Sequence, residues 1–385
     1  MAPAPPGVLM PRPRFNQYLD GIVRREAKLR FADRMKNTLL SQPDWTALAM
    51  DIQKNRGDYL GKLRVTHFVR NFPYVFEFAH GEDRSKWLRF TGAAKKLMKA
   101  HQSFKERKQR SEAVESVTKL LMLAKNRRIP VLELAKMAKY FGFPADYETK
   151  IFYSNPTYFR PVETKRARCL ELSQWYPELA VTARERWIAE AGIKNPYEFP
   201  VPVEVDGGKV DREEIKAYFD ALQEAPFPSP YDDAVDVVPG SASERKRTLA
   251  TYHEILSLTI EKRILLHTFH GLGEYLGLPE GHLEYFRSNE PIFYVSHAGS
   301  RPWVFLRESY DTGPRERHPL LVFKERFFAM CMCVKEEKFN QIHQRKGAAE
   351  YDTDDSDIEL LGDEDNGPRR PVPLDDFDVD GWCMA

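Results

Sequence analysis

Tyr275-Leu276-Gly277-Leu278-Pro279, followed by Phe286, Asn289, Pro291 and Phe293 and then by Arg301 and Trp303-Val304-Phe305-Leu306, is a phrase that the chain writes three times. The second copy runs Tyr140-Phe141-Gly142-Phe143-Pro144, Phe152, Asn155-Pro156, Phe159, then Arg166 and Arg168 before Cys169-Leu170-Glu171-Leu172. The first is looser: Tyr59-Leu60-Gly61, Phe68, Asn71, Pro73, Phe76, then Arg84 before Trp87-Leu88-Arg89-Phe90. So many residue types recurring in one order mark structural repeats. Their length and unequal spacing along the chain point to small subdomains rather than a solenoid.

The punctuation of the phrase predicts its structure. An aromatic-aliphatic step into Gly ends a helix, because Gly accepts the left-handed cap and a following Pro cannot continue the ladder. A second short helix carries the Phe. Beyond the Asn-Pro breaker, two short runs rich in aromatic and β-branched residues flank a polar turn such as His80-Gly81-Glu82-Asp83 or His297-Ala298-Gly299-Ser300, which predicts a β-hairpin. Helix, helix, hairpin is the order of a winged-helix-like unit. The fold expected is mainly α with short β-hairpins (α+β), in three winged-helix-like repeats.

The 385 residues, 42% hydrophobic and 12% aromatic, suffice for a core divided among two or three units. No run of 18 or more apolar residues predicts a membrane span. Cys169, Cys331, Cys333 and Cys383 do not make a disulfide framework. The net charge of +1 conceals a segregation: residues 1–150 hold 30 Lys and Arg against 15 acids, whereas 350–385 hold 13 acids against two Arg. A basic body with an acidic tail suits a protein that meets a polyanion.

Along the chain, residues 1–19 read as disordered or a targeting remnant, 20–194 as the first and second repeats, 195–243 as a Pro-rich connector, 244–340 as the third repeat, and 347–385 as an acidic disordered tail. Helices are expected from Phe15 to Leu40, through Trp45, Leu48 and Ile52, from Thr91 onward, from Gln102 to Arg128, from Pro130, from Trp175 to Glu190, from Arg212 to Gln223, from Ser243 to Phe269 and around Lys324 to Lys338.

Catalytic readings are weak. Cys169 stands where the other copies have Trp87 and Trp303, a hairpin core position, and Cys331-Met332-Cys333 lacks a second pair at zinc-like spacing. His267 and His270 stand alone as an i, i+3 pair. Gly271-Leu272-Gly273 lacks the rest of a phosphate loop. No enzyme and no cofactor is expected.

The stretch His253 to Arg263, with Gly277-Leu278-Pro279, Ile292 to Ser296, Val304 to Tyr310, Phe68 to Pro73, Trp175 to Val181 and Ser229 to Ala234, resembles the plant organelle RNA recognition (PORR) domain over roughly residues 20–330. The resemblance implies non-catalytic RNA binding in a chloroplast or mitochondrion, chiefly to group II introns, in a ribonucleoprotein complex with other splicing factors. It implies no membrane and no small-molecule substrate, and Mg²⁺ would belong to the RNA. Phosphate neutralisation by Lys and Arg would supply most of the affinity. The candidates are Lys62, Arg64, Arg70, Arg84, Lys86, Arg89, Lys95, Lys96, Arg127, Arg128, Lys165, Arg166, Arg168, Arg287, Arg301 and Arg307. Tyr74 and Tyr158 are candidates for base stacking, while Phe68, Phe152, Phe286, Trp87 and Trp303 are expected in the core. The alternatives are a double-stranded DNA-binding winged-helix protein and a protein-interaction scaffold using the acidic tail.

Overall fold

The computed structural model describes residues 16–49, 69–81, 84–105, 108–143, 146–191, 229–232, 238, 240–290, 292–311 and 318–332. In chain order the elements are α1 (Gln17–Leu40), a 3₁₀ turn (Pro43–Trp45), β1 (Thr46–Leu48), β2 (Phe76–His80), β3 (Lys86–Phe90), α2 (Gly92–Lys105) and α3 (Lys108–Leu123). There follow β4 (Arg128–Pro130), α4 (Val131–Met137), a π-helical turn (Glu148–Tyr153), β5 (Phe159–Glu163), β6 (Arg168–Leu172), a 3₁₀ turn (Pro177–Leu179) and α5 (Ala183–Ala191). The remainder is α6 (Ala242–Leu258), β7 (Arg263–Leu265), α7 (Thr268–Leu276), α8 (His282–Ser288), β8 (Phe293–Ser296), β9 (Trp303–Leu306), α9 (Glu308–Asp311) and α10 (Pro319–Met332). The fold class is α+β.

The three expected hairpins form, and each carries a third strand from further upstream. The sheets are antiparallel with orders β1-β3-β2, β4-β6-β5 and β7-β9-β8, so each begins with a short strand that pairs beyond its own hairpin. That leading strand replaces helix where the sequence predicts helix. The helix expected through Trp45 and Leu48 is a turn and β1, and Ile52 lies outside the described residues. The helix expected to reach Arg128 stops at Leu123, and the one expected from Ser243 to Phe269 stops at Leu258. Trp175 to Glu190 is likewise broken, at the segment between Leu179 and Ala183. The helix expected between Arg212 and Gln223, the acidic tail and the end of the last helix lie outside the described residues.

Local chemistry explains the breaks that precede the three leading strands. Trp45, Arg127 and Lys262 hold positive φ of 55°, 51° and 52° immediately before β1, β4 and β7, which turns the chain out of the helical path. The turned carbonyls are used: Arg127 O accepts from Leu172 N at 2.8 Å, and Lys262 O from Leu306 N at 2.9 Å. Gly142 and Gly277 take the left-handed conformation, φ 64° and 67°, at the helix ends where the phrase places them.

The recurring Asn also has a physical role. Asn155 Nδ2 donates to Ile151 O at 2.7 Å and Asn289 Nδ2 to Tyr285 O at 2.8 Å, satisfying last-turn carbonyls before the hairpin. Their own carbonyls receive Phe159 N and Phe293 N, each at 3.0 Å. In the first copy Phe72 O receives Phe76 N at 3.0 Å, so Asn71 stands one residue earlier than its counterparts.

The described residues form two compact units, one of residue 16 and those within 105–297 and 301–316, the other of those within 17–104, 298–300 and 317–332. The second repeat therefore shares a unit and a core with the third, although the first precedes it along the chain. That core includes Phe152, Phe159, Leu170, Tyr252, Phe269, Phe286, Phe293 and Val304. Full burial of each such side chain stabilises by about 1.5–3 kcal/mol. In the other unit, α1 and α10 join the first sheet around Met35, Leu39, Phe76, Leu88, Phe90 and Phe327. There His101 stacks on Phe323 at 3.8 Å, Lys36 lies 5.0 Å over Phe327, and Lys324 pairs with Glu26.

A polar seam crosses the larger core. Lys119 of α3 and Glu254 of α6 form an ion pair at 2.6 Å with both side chains fully buried. Tyr231, from the Pro-rich stretch, donates its hydroxyl to Glu254 Oε1 at 2.7 Å. Burial and the Glu254 carboxylate push the Tyr231 phenol well up, which keeps it a donor. Ala183 N at the start of α5 donates to Glu254 Oε2 at 2.7 Å. Beside it, His253 Nε2 lies 2.7 Å and Arg184 Nη1 2.5 Å from Glu308. Burial raises the Glu308 carboxyl, but His253 and Arg184 outweigh it and hold the group below its ordinary value.

Candidate nucleic-acid interface

Strand alternation decides which basic side chains reach solvent. On β3, Leu88 and Phe90 point into the core while Arg89 points out, opposite Glu77 of β2 and Thr46 of β1. Arg89 Nε binds Glu77 Oε1 at 2.7 Å with both side chains about half exposed. On the second sheet the corresponding row is Arg128, Glu171 and Arg160, with Arg160 paired to Glu171 at 3.0 Å. In the third it is Arg263, Phe305 and Tyr294. Here the row is closed: Arg263 is 1% exposed and its guanidinium lies 4.6 Å over Trp303 and 5.4 Å over Phe305.

The sequence candidates divide accordingly. Arg70, Arg84, Lys86, Lys95, Lys96, Arg128, Lys165 and Arg287 are exposed and have no ion-pair partner among the described residues. Arg84 sits in the first hairpin turn with φ 60°. Arg168 pairs with Glu148 of the π turn at 2.6 Å, and Arg166 lies 3.8 Å from Glu274. Arg127 is exposed and stacks over Trp175 at 4.7 Å. Arg301 is exposed beside His267. Arg307 is largely enclosed, paired with Glu290 at 2.9 Å and 5.5 Å over the Tyr294 ring, so its first role is in packing. Lys62 and Arg64 lie outside the described residues.

The aromatic candidates fare differently. Tyr158 stacks on Tyr176 at 4.8 Å against the core, and Tyr74 is half-buried. Exposed rings among the described residues include Tyr18 of α1, 42% accessible, and Tyr153, 49% accessible at the end of the π turn and three residues after the exposed Lys150. It follows the core residue Phe152, and only the helical phase of that turn separates the two. Phe152 and Phe286 are core residues as expected, while Phe68 is outside the described residues.

The plant organelle RNA recognition domain matches this chain over residues 15–336. The chain belongs to that family. The WHAT'S THIS FACTOR 1 homolog of Oryza sativa subsp. japonica, named chloroplastic, is 31% identical over 90% of the chain and 71% of its own length. WHAT'S THIS FACTOR 1 of Zea mays, also chloroplastic, is 32% identical over 81% of the chain and 65% of its own length. WHAT'S THIS FACTOR 9 of Arabidopsis thaliana, named mitochondrial, is 25% identical over 81% of the chain and 82% of its own length. No solved structure matches. Family membership carries an organellar, RNA-related function, and the named compartments of these relatives place this PORR protein in a chloroplast or mitochondrion.

Proposed function

We propose that the chain binds organellar intron RNA through its basic surface and promotes group II intron splicing without catalysing it, in company with other splicing factors. The observation that carries this reading is the set of eight exposed Lys and Arg residues with no acid in pairing distance among the described residues, distributed over all three repeats. Phosphate oxygens are the natural counter-charges for such a set, and their binding releases counterions. The intron would do the chemistry and the protein would hold its fold.

The three units are winged-helix-like on this reading. The second and third each have a helix, a short strand, two helical segments and a hairpin, and in all three sheets the leading strand lies on the far side of the hairpin's second strand. In a duplex-DNA reader of this type the last helix enters the major groove. The corresponding segments here are six and seven residues long and carry Glu148 and Glu284 in their first turns. Short acidic ends suit a major groove poorly. Irregular RNA, contacted by hairpins and helix flanks, suits them better.

A competition experiment with purified protein distinguishes the two. Structured intron RNA should compete for binding at least ~10-fold better than duplex DNA of equal length, and a variant with Arg84, Lys86 and Arg89 changed to Ala should bind RNA about 10-fold more weakly. Equal competition by duplex DNA would favour the DNA reading.

A further inference from the structure

The second and third repeats bring together five side chains that neither holds alone. Lys136 lies near the end of α4 and Lys139 just beyond it. His267 and His270 lie at the start of α7, and Arg301 ends the turn between β8 and β9. All five are exposed. The arrangement is held from below by Tyr140, whose hydroxyl receives Leu265 N–H at 3.2 Å and meets Thr268 Oγ1 at 3.4 Å. The Lys139 ammonium rests 4.9 Å over the Tyr140 ring, and Arg301 Nη1 is 3.4 Å from His267 Nε2.

Among the described residues there, Lys136, Lys139 and Arg301 stand with Glu133. The acid at the centre is Glu133, which pairs with Lys136 at 2.7 Å, and Gly271 gives its carboxylate room against α7. The next acid on α7, Glu274, faces Arg166. The His267 pKa is held below the ordinary value first by the partial burial of its ring and then by Arg301, Lys139, His270 and Lys136. Gathering Lys136, Lys139 and Arg301 is unfavourable in the free protein, and an anion laid across them relieves the repulsion.

We infer that Lys136, Lys139, His267, His270 and Arg301 form a composite phosphate-binding surface for the RNA backbone, assembled only where the second and third repeats pack together. It rests on the RNA-binding reading and gives it a place. Among these residues Arg301 alone belongs to the basic set expected from the sequence. Spread over two helix ends and a hairpin turn, the surface fits successive phosphates of one strand.

The test uses the full chain and a labelled single-stranded RNA of ~30 nucleotides. The Lys136→Gln, Lys139→Gln, Arg301→Gln variant should flatten the dependence of log affinity on log salt by about 2, at roughly 0.7 per phosphate contact. Affinity near physiological salt should fall about 10- to 100-fold. A charge-matched variant in the other unit, Arg24→Gln, Lys28→Gln, Arg326→Gln, should change both far less. In the unaltered protein, RNA should protect Lys136 and Lys139 from acetylation by an amine-reactive reagent and leave Lys28 reactive, a readout independent of how any variant folds. A wild-type slope in the first variant with both lysines unprotected would overturn the inference and leave RNA binding standing. Equal losses in the two variants would also overturn it, since net charge alone would then explain them. No RNA binding by the wild type would overturn it together with the reading on which it rests.

Discussion

Changing Glu254 to Leu should destabilise the larger unit by about 3–5 kcal/mol, read as a drop in the urea midpoint. The side chain is fully buried and three partners depend on it. Lys119 would be left with its ammonium in the core and, among the described residues, Val181 O at 2.9 Å to receive a hydrogen bond. Ala183 N would lose the carboxylate that caps α5, and the Tyr231 hydroxyl its acceptor. A buried pair is weakly stabilising as a whole but severe to break on one side, because the remaining charge stays desolvated. The double variant Lys119→Met, Glu254→Leu should therefore recover much of the loss. A single-variant cost below about 1 kcal/mol would mean that the pair is not buried in solution.

Acid should weaken the same unit through His282. Its ring is 3% exposed, accepts the Tyr252 hydroxyl at Nδ1 over 2.5 Å, and lies against Gly273, where a Cβ would approach Cε1 to 3.0 Å. Burial, then the neighbouring His270, push the His282 pKa from 6.5 down to about 4, with a hydrogen bond to the Phe269 backbone working the other way. The folded state thus keeps the imidazole neutral where the unfolded chain protonates it. Its contribution is complete above pH 6.5 and is lost as pH falls toward about 4, an effect of about 3 kcal/mol. The free energy of unfolding measured across that window should fall by this amount, and His282→Gln should flatten the curve. An unchanged pH dependence in the variant would contradict the account. The same burial raises the Tyr252 phenol, so the donor in this bond stays protonated throughout.

The repeats were legible because their markers have local causes. Gly142 and Gly277 are needed at left-handed helix ends, Asn155 and Asn289 close carbonyls, and the hairpin aromatics alternate with the pleat. The leading strands were not legible. Arg128-Ile129-Pro130 and Arg263-Ile264-Leu265 are three residues long, too short for a period, and what sets them off is positive φ at Arg127 and Lys262, residue types that rarely announce it. The pairing of the second repeat with the third was hidden because contacts such as Lys119 with Glu254 join residues far apart in sequence. Lys119 sits in a charged helix, yet it and Val117, Leu120 and Leu121 around it are buried.

Charge counting found the basic surface but could not rank it. Arg128 and Arg263 hold the same strand position, one exposed and the other sandwiched between aromatic rings, because Trp303 and Phe305 of β9 line that face in the third sheet, where the second has Glu171. Lys136 and Lys139 drew no notice, and His267 and His270 were weighed only as an i, i+3 pair, because the four converge only across two repeats. Tyr153 was overlooked because its neighbour Phe152 carries the recurring core position.

The central claim, that this family member acts on organellar intron RNA, is tested most directly by recovering the tagged protein from plant chloroplasts and mitochondria and mapping the bound RNA across both organelle genomes. A few intron-containing transcripts should be enriched from one organelle, and the Arg84, Lys86, Arg89 to Ala variant should lose that enrichment. No enrichment over control from either organelle would contradict the claim.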